Sequence, residues 1–243
     1  MSPKVVVVTG SNRGIGLALA VQFSKQGDIV IATVRSKANA GTLASLPNVT
    51  LVELDADDIA TVDSAVAEIE EIAPEGIDEL WNLMEESRNV QHWSEDGLSP
   101  HILAPDMQRI FLVNVTTPTY LASKLLPQLE KRKTKKIVFV SSCNASFDYS
   151  KSSAGHLTKA EAPFIYGASK SALNMSAWYF HNQLNSSGFT IVPIHPGLVV
   201  TDMNPFGAIS SEESAKKMLD TVDALSAKDE FFLRNYDGSV LAW

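Results

Sequence analysis

The sequence predicts an α/β fold, a doubly wound parallel sheet of about seven strands with helices on both faces. The first observation behind it is that short β-branched runs alternate with longer amphipathic stretches. The second is that these runs are apolar almost throughout, as strands covered on both faces are. The third is size: 243 residues, 45% of them hydrophobic, suit one domain over residues 1–243.

The elements follow one another along the chain. KVVVV precedes a helix over 14–26, DIVIATV a helix over 38–46, and VTLVEL a helix over 58–72. IDELWN, KIVFV and FTIVPI are the next predicted strands. Helices are predicted over about 103–131, interrupted by Pro118, over about 162–186, and at EESAKKML.

Composition excludes several function classes. The net charge of −8 argues against a nucleic-acid or anionic-membrane partner, because either surface would repel this chain. A single cysteine, Cys143, rules out an internal disulfide, and the apolar runs are too short to span a membrane. With no signal-peptide pattern, we expect a cytoplasmic protein. The five histidines are scattered, so we expect no metal site.

A glycine-rich loop, TGSNRGIG, runs directly from the first strand into the first helix. Glycines remove β-carbons where a backbone must turn and approach a pyrophosphate, and a helix N-terminus offers free N–H groups. This predicts a dinucleotide site, although such loops also serve as plain connections. The predicted contacts from the loop are Gly10, Ser11, Asn12, Arg13, Gly14, Ile15 and Gly16.

The end of the second strand indicates which dinucleotide binds. An acidic residue there would select NAD, but the strand ends ATVRSK. Arg35, with Lys37 nearby and Arg13 in the loop, could hold a 2′-phosphate, so we expect NADP(H) as cofactor. The alternative is that Arg35 is a solvated surface charge.

Asp55 and Ala56 follow the third strand. A short acidic side chain there can accept a hydrogen bond from the adenine amino group, so both residues are predicted cofactor contacts. Asp55 could equally be the N-cap of the 58–72 helix.

YGASK places Tyr166 and Lys170 four residues apart, on one face of a helix. We expect the ammonium to lower the pKa of the Tyr166 hydroxyl from about 10 by up to about three pH units. Tyr166 would then be a usable acid and base near neutral pH. Taken alone, a Tyr-x-x-x-Lys pair usually lies on the protein surface and has no function.

Polar residues follow other predicted strands. Ser142, after KIVFV, can donate a hydrogen bond to a substrate carbonyl; Asn114, in FLVNVTT, can hold the lysine through a water or be a kink-filling amide within its helix. In a doubly wound fold these positions converge on one crevice. After the sixth strand, HPGLVVTDM turns sharply at Pro196 and Gly197.

That last turn completes the predicted cofactor contacts. Backbone groups near Val199 and the hydroxyl of Thr201 could meet a nicotinamide amide. Pro196 and Gly197 are included because they shape the turn.

Taken together, TGSNRGIG, Asp55, Asn114, VSS, YGASK and HPGLVVTDM occur in the order found in classical short-chain dehydrogenases/reductases. The chain resembles this Rossmann-fold family over nearly its whole length, and the resemblance implies the strand order 3-2-1-4-5-6-7. The resemblance implies an active site of Asn114, Ser142, Tyr166 and Lys170. NRGIG, SKSALNM and DGSVLAW are most similar to the small carbonyl-reductase branch, with its sniffer-like proteins and fungal ketoreductases.

The resemblance also implies a reaction. NADPH would pass a hydride to a ketone or aldehyde carbon while Tyr166 delivers the proton to the oxygen. Ser142 would polarise that oxygen, Lys170 would hold the nicotinamide ribose, and Asn114 would support a relay water. Small-molecule carbonyl or alcohol substrates, and homodimers or homotetramers, are expected.

One stretch departs from the family. Asn82, Leu83, Met84 and Glu85 stand where the family usually has Asn-Asn-Ala-Gly. Met84 adds bulk and Glu85 adds negative charge near an anionic ligand, a loss of about 1–3 kcal/mol. Because contacts there are largely made by backbone, as at Asn82 and Met84, and Glu85 can swing toward solvent, we expect an altered but working enzyme. The alternatives are an NADP(H)-binding regulator without turnover and a scaffold joined through its long helix.

A substrate pocket is predicted on the segment between Ser142 and Tyr166, which are 24 positions apart. Phe147, Tyr149, His156, Leu157 and Phe164 could line it. Alternatively, these side chains anchor the loop to the body of the protein.

Overall fold

The computed structural model describes residues 2–86, 92–93, 100–101, 104–152, 164–202 and 204–243. The strands in these residues are Val5–Val8 (β1), Ile29–Val34 (β2), Val49–Glu53 (β3), Glu79–Asn82 (β4), His92–Trp93 (β5), Pro100–His101 (β6), Lys136–Val140 (β7), Thr190–His195 (β8), Leu233–Asn235 (β9) and Val240–Leu241 (β10). The α-helices are Gly14–Gln26 (α1), Ala60–Ile72 (α2), Ala104–Phe111 (α3), Thr117–Glu130 (α4), Phe147–Lys151 (α5), Phe164–Leu184 (α6) and Ser211–Ala224 (α7).

Eight of these strands form one sheet in the order β10-β9-β8-β7-β4-β1-β2-β3. All neighbours pair in parallel except β10, which is antiparallel to β9. The predicted strand order is therefore confirmed, with a short antiparallel strand added at one edge. β5 and β6 form a separate antiparallel pair.

The central strands are buried on both faces. Along β1, Val5 and Val7 pack into one hydrophobic cluster, and Val6 and Val8 pack into the other. Successive side chains of a strand point to opposite faces. An unbroken run of valines is what a central parallel strand needs, because helices cover both of its sides.

Two predicted helices differ from the structure. The predicted helix over 38–46 is two short 3₁₀ turns, Lys37–Asn39 and Gly41–Ser45, and Gly41 at the start of the second has a φ of +55°. A left-handed residue cannot continue an α-helix. The region predicted as one helix over 103–131 is α3, a π-helical turn at Leu112–Thr116, and α4. The interruption precedes Pro118, which lies in the first turn of α4, where no backbone N–H is required.

Across the ranges given above, no helix has both the length and the apolar character that crossing a membrane requires.

Acid is expected to destabilise the protein through His195, at the end of β8. Its imidazole is buried, and its Nδ1 has no hydrogen-bond partner within the described ranges. Burial lowers the pKa of His195 from 6.5 to about 4. The unfolded chain therefore takes up the proton first, and the free energy of unfolding falls by about 3 kcal/mol as the pH drops from the unfolded to the folded pKa.

Urea unfolding as a function of pH checks this prediction. The wild type should lose stability between about pH 6.5 and about pH 4, and His195→Gln should lose less over the same interval. Identical slopes for the two proteins would show that another group drives the acid response.

Candidate active site

The carboxyl ends of the central strands open onto a cleft of about 870 Å³. Ten of the predicted cofactor contacts line it: Gly10, Asn12, Arg13, Gly14, Ile15, Gly16, Arg35, Ala56, Met84 and Thr201. The other eight predicted contacts are not among its described lining residues: Ser11, Asp55, Asn82, Tyr166, Lys170, Pro196, Gly197 and Val199. The motifs far apart in sequence thus meet at one edge of the sheet.

The glycine loop has the backbone that a phosphate group requires. Gly10 and Gly14 have φ values of +62° and +54°, which favour glycine. A β-carbon on Gly16 would lie 2.3 Å from the carbonyl oxygen of Gly10, so the loop can close only without one. Ser11 helps to hold the loop, because its hydroxyl donates to the carbonyl of Val8 at 2.6 Å.

The first turn of α1 therefore presents its N-terminus to the cleft. The Arg13 N-cap makes no side-chain capping bond with the described residues, and Gly14, Ile15 and Gly16 line the wall. Backbone N–H groups at a helix N-terminus bind anions well. This cradle fits the diphosphate of a dinucleotide.

Both predicted phosphate-binding arginines lie in the wall and are exposed. Arg35 is 71% exposed and its Nε lies 3.6 Å from a carboxylate oxygen of Asp55. Arg13 pairs with Asp202 at 3.2 Å. Exposed pairs of this kind contribute little energy, so an incoming phosphate can replace the carboxylates.

Asp55 does not cap the following helix. Its Oδ1 accepts from the backbone N–H of Asp57 at 3.1 Å. The carboxylate that meets the start of α2 is that of Asp58, which accepts from the N–H of Ala60. The N-cap alternative for Asp55 is wrong, because the helix begins two residues later than predicted.

Tyr166, Lys170 and Ser142 come together beside the cleft. Lys170 contacts Val140 and Glu85, which both line it. The Lys170 Nζ lies 5.6 Å from the centre of the Tyr166 ring. Ser142 caps the 3₁₀ turn Cys143–Ala145 by accepting from the N–H of Asn144. A β-carbon on Gly167 would lie 2.9 Å from the carbonyl oxygen of Asn144. Glycine at this position lets α6 approach that turn, which brings Tyr166 beside Ser142.

Lys170 is held from two sides. Its ammonium donates to the carbonyl of Val140 at 2.9 Å and pairs with Glu85 Oε2 at 2.8 Å. The lysine side chain is 1% exposed and that of Glu85 19% exposed. Glu85 therefore does not swing toward solvent as the sequence allowed, because the buried ammonium attracts its carboxylate inward.

The predicted acidity of Tyr166 is also wrong in this structure. Its pKa is raised well above 10, first by burial, then by the negative charge of Glu85 and a hydrogen bond with that carboxylate. A hydrogen bond with Ser142 acts in the opposite direction. The prediction considered the lysine charge alone, and Glu85 neutralises that charge.

Asn114 lies in the π-helical turn between α3 and α4, completely buried. Its Oδ1 accepts from the N–H of Glu86 at 2.7 Å, and its Nδ2 donates to the carbonyl of Glu86 at 2.9 Å. The same Nδ2 lies 3.0 Å from the hydroxyl of Ser169. The amide thus joins the segment after β4 to α6, a role that the sequence did not indicate.

Residues 82–85, which differ from the usual Asn-Asn-Ala-Gly of the family, contribute to the cleft wall. Met84 is buried in the core cluster and also lines the cleft. Asn82 is buried, and its side-chain amide makes no hydrogen bond with the described part of the chain. The carbonyl oxygen of Leu83 would lie 3.1 Å from a β-carbon on Gly10, so this wall packs directly against the glycine loop.

The segment after β8 closes the other side of the cleft. Gly197 has a φ of +87°, and the carbonyl of Pro196 accepts from the hydroxyl of Ser214 at 2.6 Å. Val199 forms a backbone bridge with Ile209 and Thr201 one with Asn204. The Thr201 methyl would lie 3.6 Å from a β-carbon on Gly14, which sets the segment beside the glycine loop.

The predicted substrate pocket is described only in part. Phe147 is 72% exposed, Phe164 is also exposed, and Tyr149 is half-buried beside Cys143. His156 and Leu157 lie outside the described residues.

Sequence reasoning missed an ionic bridge across the cleft. Arg109 donates to both carboxylate oxygens of Asp57, at 2.9 and 2.6 Å, and lies 3.6 Å from Glu86. Asp57 and Glu86 both line the cleft. Their positions just after β3 and β4 could have indicated this, but nothing in the sequence pairs them with Arg109.

Comparison with known proteins gives a consistent result. A family model described as short chain dehydrogenase matches residues 4–207. An uncharacterized oxidoreductase of Schizosaccharomyces pombe is 30% identical over 265 residues, covering 98% of this chain and 97% of the relative.

Two solved structures are similar over the whole chain. NADPH-bound carbonyl reductase from chicken fatty liver has a TM-score of 0.86 and 28% identity, covering 100% of both chains. The carbonyl reductase Sniffer of D. melanogaster has a TM-score of 0.84 and 25% identity, covering 99% of this chain and 100% of that one.

Proposed function

The chain belongs to the short-chain dehydrogenase family of oxidoreductases, and from this we propose that it reduces a ketone or aldehyde carbonyl to an alcohol at the expense of NADPH. The observation that carries the proposal is that Tyr166, Lys170 and Ser142 lie together beside the cleft. Lys170 contacts Val140 and Glu85, which both line it. The similarity to NADPH-bound carbonyl reductase supports it.

The cleft offers a distinct group for each part of NADP(H). The glycine loop and the N-terminus of α1 would bind the diphosphate, Arg13 and Arg35 the 2′-phosphate, and Asp55 and Ala56 the adenine. Pro196, Gly197, Val199 and Thr201 would form the nicotinamide end together with Asn82 and Met84. When bound, the reduced nicotinamide supplies the hydride.

Side chains of the protein supply the proton and orient the substrate. The hydroxyl of Tyr166 donates its proton to the substrate oxygen, and the hydroxyl of Ser142 orients that oxygen by a hydrogen bond. Lys170 supplies the positive charge nearest the phenol. Asn114 keeps the wall after β4 in place through Glu86.

A second candidate function rests on the contact between Glu85 and Lys170. Because this ion pair occupies the lysine and disfavours ionisation of Tyr166, the chain could bind NADP(H) and act as a regulator with little turnover.

Two measurements decide between these functions. Quenching of tryptophan fluorescence by NADPH and by NADH tests cofactor binding, and NADPH consumption with aromatic aldehydes, diketones and quinones tests turnover. Binding with turnover supports the reductase. Binding without turnover on the whole panel supports the regulator, and a lack of binding contradicts both.

Replacing Arg35 with aspartate is expected to weaken NADPH binding by roughly 10- to 100-fold and to affect NADH much less. The change removes a charge-assisted hydrogen bond to the 2′-phosphate and sets a negative charge beside it. Fluorescence titrations with both cofactors measure the effect. Lys37→Asp is the matched control, since the Lys37 ammonium is directed to Glu68 at 2.7 Å. Equal losses for NADPH and NADH in Arg35→Asp would contradict the assignment.

We also propose that residues 1–243 form one domain and that the protein assembles as a homodimer or homotetramer. The exposed side chains of Trp178 and Tyr179 on α6 support a subunit contact on this helix.

A further inference from the structure

The inward position of Glu85 is built into the fold. The next residue, Glu86, is held by two hydrogen bonds, because its N–H and its C=O both bond to the side chain of Asn114. The Glu86 carboxylate lies 3.6 Å from Arg109. With its neighbour held from both sides, Glu85 extends toward Lys170 and meets the ammonium at 2.8 Å.

The same amide connects Glu85 to the helix that carries the tyrosine. Asn114 Nδ2 lies 3.0 Å from the Ser169 hydroxyl, and that hydroxyl donates to the carbonyl of Tyr166 at 2.7 Å. A continuous chain of hydrogen bonds therefore sets the distance between the segment after β4 and the start of α6. Glu85, Lys170 and Tyr166 are held relative to one another by backbone contacts as well as by their own charges.

A lone ammonium beside a phenol favours the phenolate, because it is the nearest positive charge. Here the ammonium pairs with the Glu85 carboxylate, and the negative charge of that carboxylate also raises the pKa of the phenol. Removing the phenol proton would place two negative charges around one lysine in a site with little water.

The other charged or titratable groups on elements packed near Tyr166 do not take over the effect of Glu85 on the phenol proton. Cys143, on the turn against α6, opposes the phenolate as Glu85 does, and its own pKa is raised by burial. Tyr149 on α5 has its pKa raised, first by burial and then by Cys143. Arg109 on α3 is directed to Asp57 and Glu86. Among the described residues His195, at the end of β8, is buried and has its pKa lowered to about 4, so it is neutral at physiological pH.

We propose that Glu85 is a positioning residue that neutralises the Lys170 ammonium and keeps the proton on Tyr166. The proposal deepens the reductase function and rests on it. A protonated Tyr166 is the form that can donate to a carbonyl oxygen, whereas oxidation of an alcohol needs the phenolate as base. Glu85 thus sets the pH range in which the reverse reaction can start.

The test titrates Tyr166 directly in the ligand-free protein. Protein labelled with ¹³C at the tyrosine ζ-carbon is followed by NMR against pH, and Tyr166→Phe assigns the signal. In the wild type, Tyr166 should remain protonated at pH about 10, where a free tyrosine is half ionised. Glu85→Gln should lower the midpoint by roughly 1 to 3 on the pH scale.

Two further variants make the result specific to the Glu85 charge. Glu85→Asp keeps the charge and should stay closer to the wild type than Glu85→Gln does. Glu86→Gln removes the adjacent carboxylate, which faces Arg109, and should leave the Tyr166 midpoint where it is. If Glu85→Gln does not give a folded circular-dichroism spectrum, Glu85→Gly, which carries the residue usual in the family, takes its place.

The outcomes separate this inference from the proposed function. An unchanged Tyr166 midpoint in Glu85→Gln, or equal shifts in Glu85→Gln and Glu86→Gln, overturns the role of Glu85 whether or not the protein reduces carbonyls. If the NMR result is as expected and NADP-dependent alcohol oxidation also starts at lower pH in Glu85→Gln, both stand. If the midpoint moves but no carbonyl or alcohol reacts, the reductase proposal fails alone.

Discussion

Replacing Tyr166 with phenylalanine is expected to lower kcat for carbonyl reduction by roughly 10²- to 10⁴-fold. The change removes one oxygen, and with it the proton donor, while the ring that packs at the start of α6 remains. Ser142 can still orient the carbonyl, but no acid is left to protonate the oxygen as charge develops on it. Steady-state NADPH consumption with the best carbonyl of the panel measures the loss.

NADPH affinity should be nearly unchanged in the same variant, because the phosphate-binding groups lie on the glycine loop and at Arg35. Fluorescence titration therefore has to accompany the kinetics. Tyr179→Phe is the matched control: it removes a phenol from the same helix, and that side chain is exposed. Retention of wild-type kcat by Tyr166→Phe would mean that another group delivers the proton.

The fold was predictable because its signals are local. The valines of β1 indicate a strand covered on both faces whatever follows them, and the order of strands follows from the family motifs between them. Helix ends were less accurate. Gly41 breaks a stretch that has helical periodicity, and the π-helical turn before Pro118 depends on packing that periodicity does not reveal.

The side-chain directions in the site were not predictable in the same way. Glu85 and Lys170 are 85 positions apart, and whether a carboxylate at a strand end faces solvent or a buried ammonium depends on how the following residue is anchored. That anchor is Asn114, whose motif indicated a role at the lysine. The sequence contained all three residues, but their pairing is a property of the assembled cleft.

The error in the predicted acidity of Tyr166 has the same origin. A Tyr-x-x-x-Lys spacing supplies one positive charge near the phenol, and a pKa depends on every charge and on burial. Burial and Glu85 both raise the pKa of Tyr166, and both come from outside the YGASK motif. Spacing within a helix can predict that a lysine lies near the phenol, but it cannot predict the net charge around that phenol.

Replacing Lys170 with methionine is expected to abolish carbonyl reduction and to lower the free energy of unfolding by roughly 3 kcal/mol. Methionine fills similar space, but the carboxylate of Glu85 then has no ammonium beside it, and the carbonyl of Val140 loses its donor. Removing one partner of a mostly buried ion pair costs more than the pair contributes. Urea unfolding and NADPH consumption measure the two losses separately.

Adding Glu85→Gln to Lys170→Met should restore most of the lost stability, because the uncompensated charge is removed, and should restore no activity. The control is Lys216→Met. Its ammonium lies 2.9 Å from the carboxylate of Asp220 on α7, close to the 2.8 Å between Lys170 and Glu85, but this pair is exposed and its loss should change stability very little. Additive stability losses in the double variant would show that Glu85 and Lys170 do not interact. If Glu85 and Lys170 form an ion pair at the acid–base centre, the stability losses of the single variants should not add up in the double variant. Both variants that lack Lys170 should be inactive, since the lysine acts on the phenol as well as on the carboxylate.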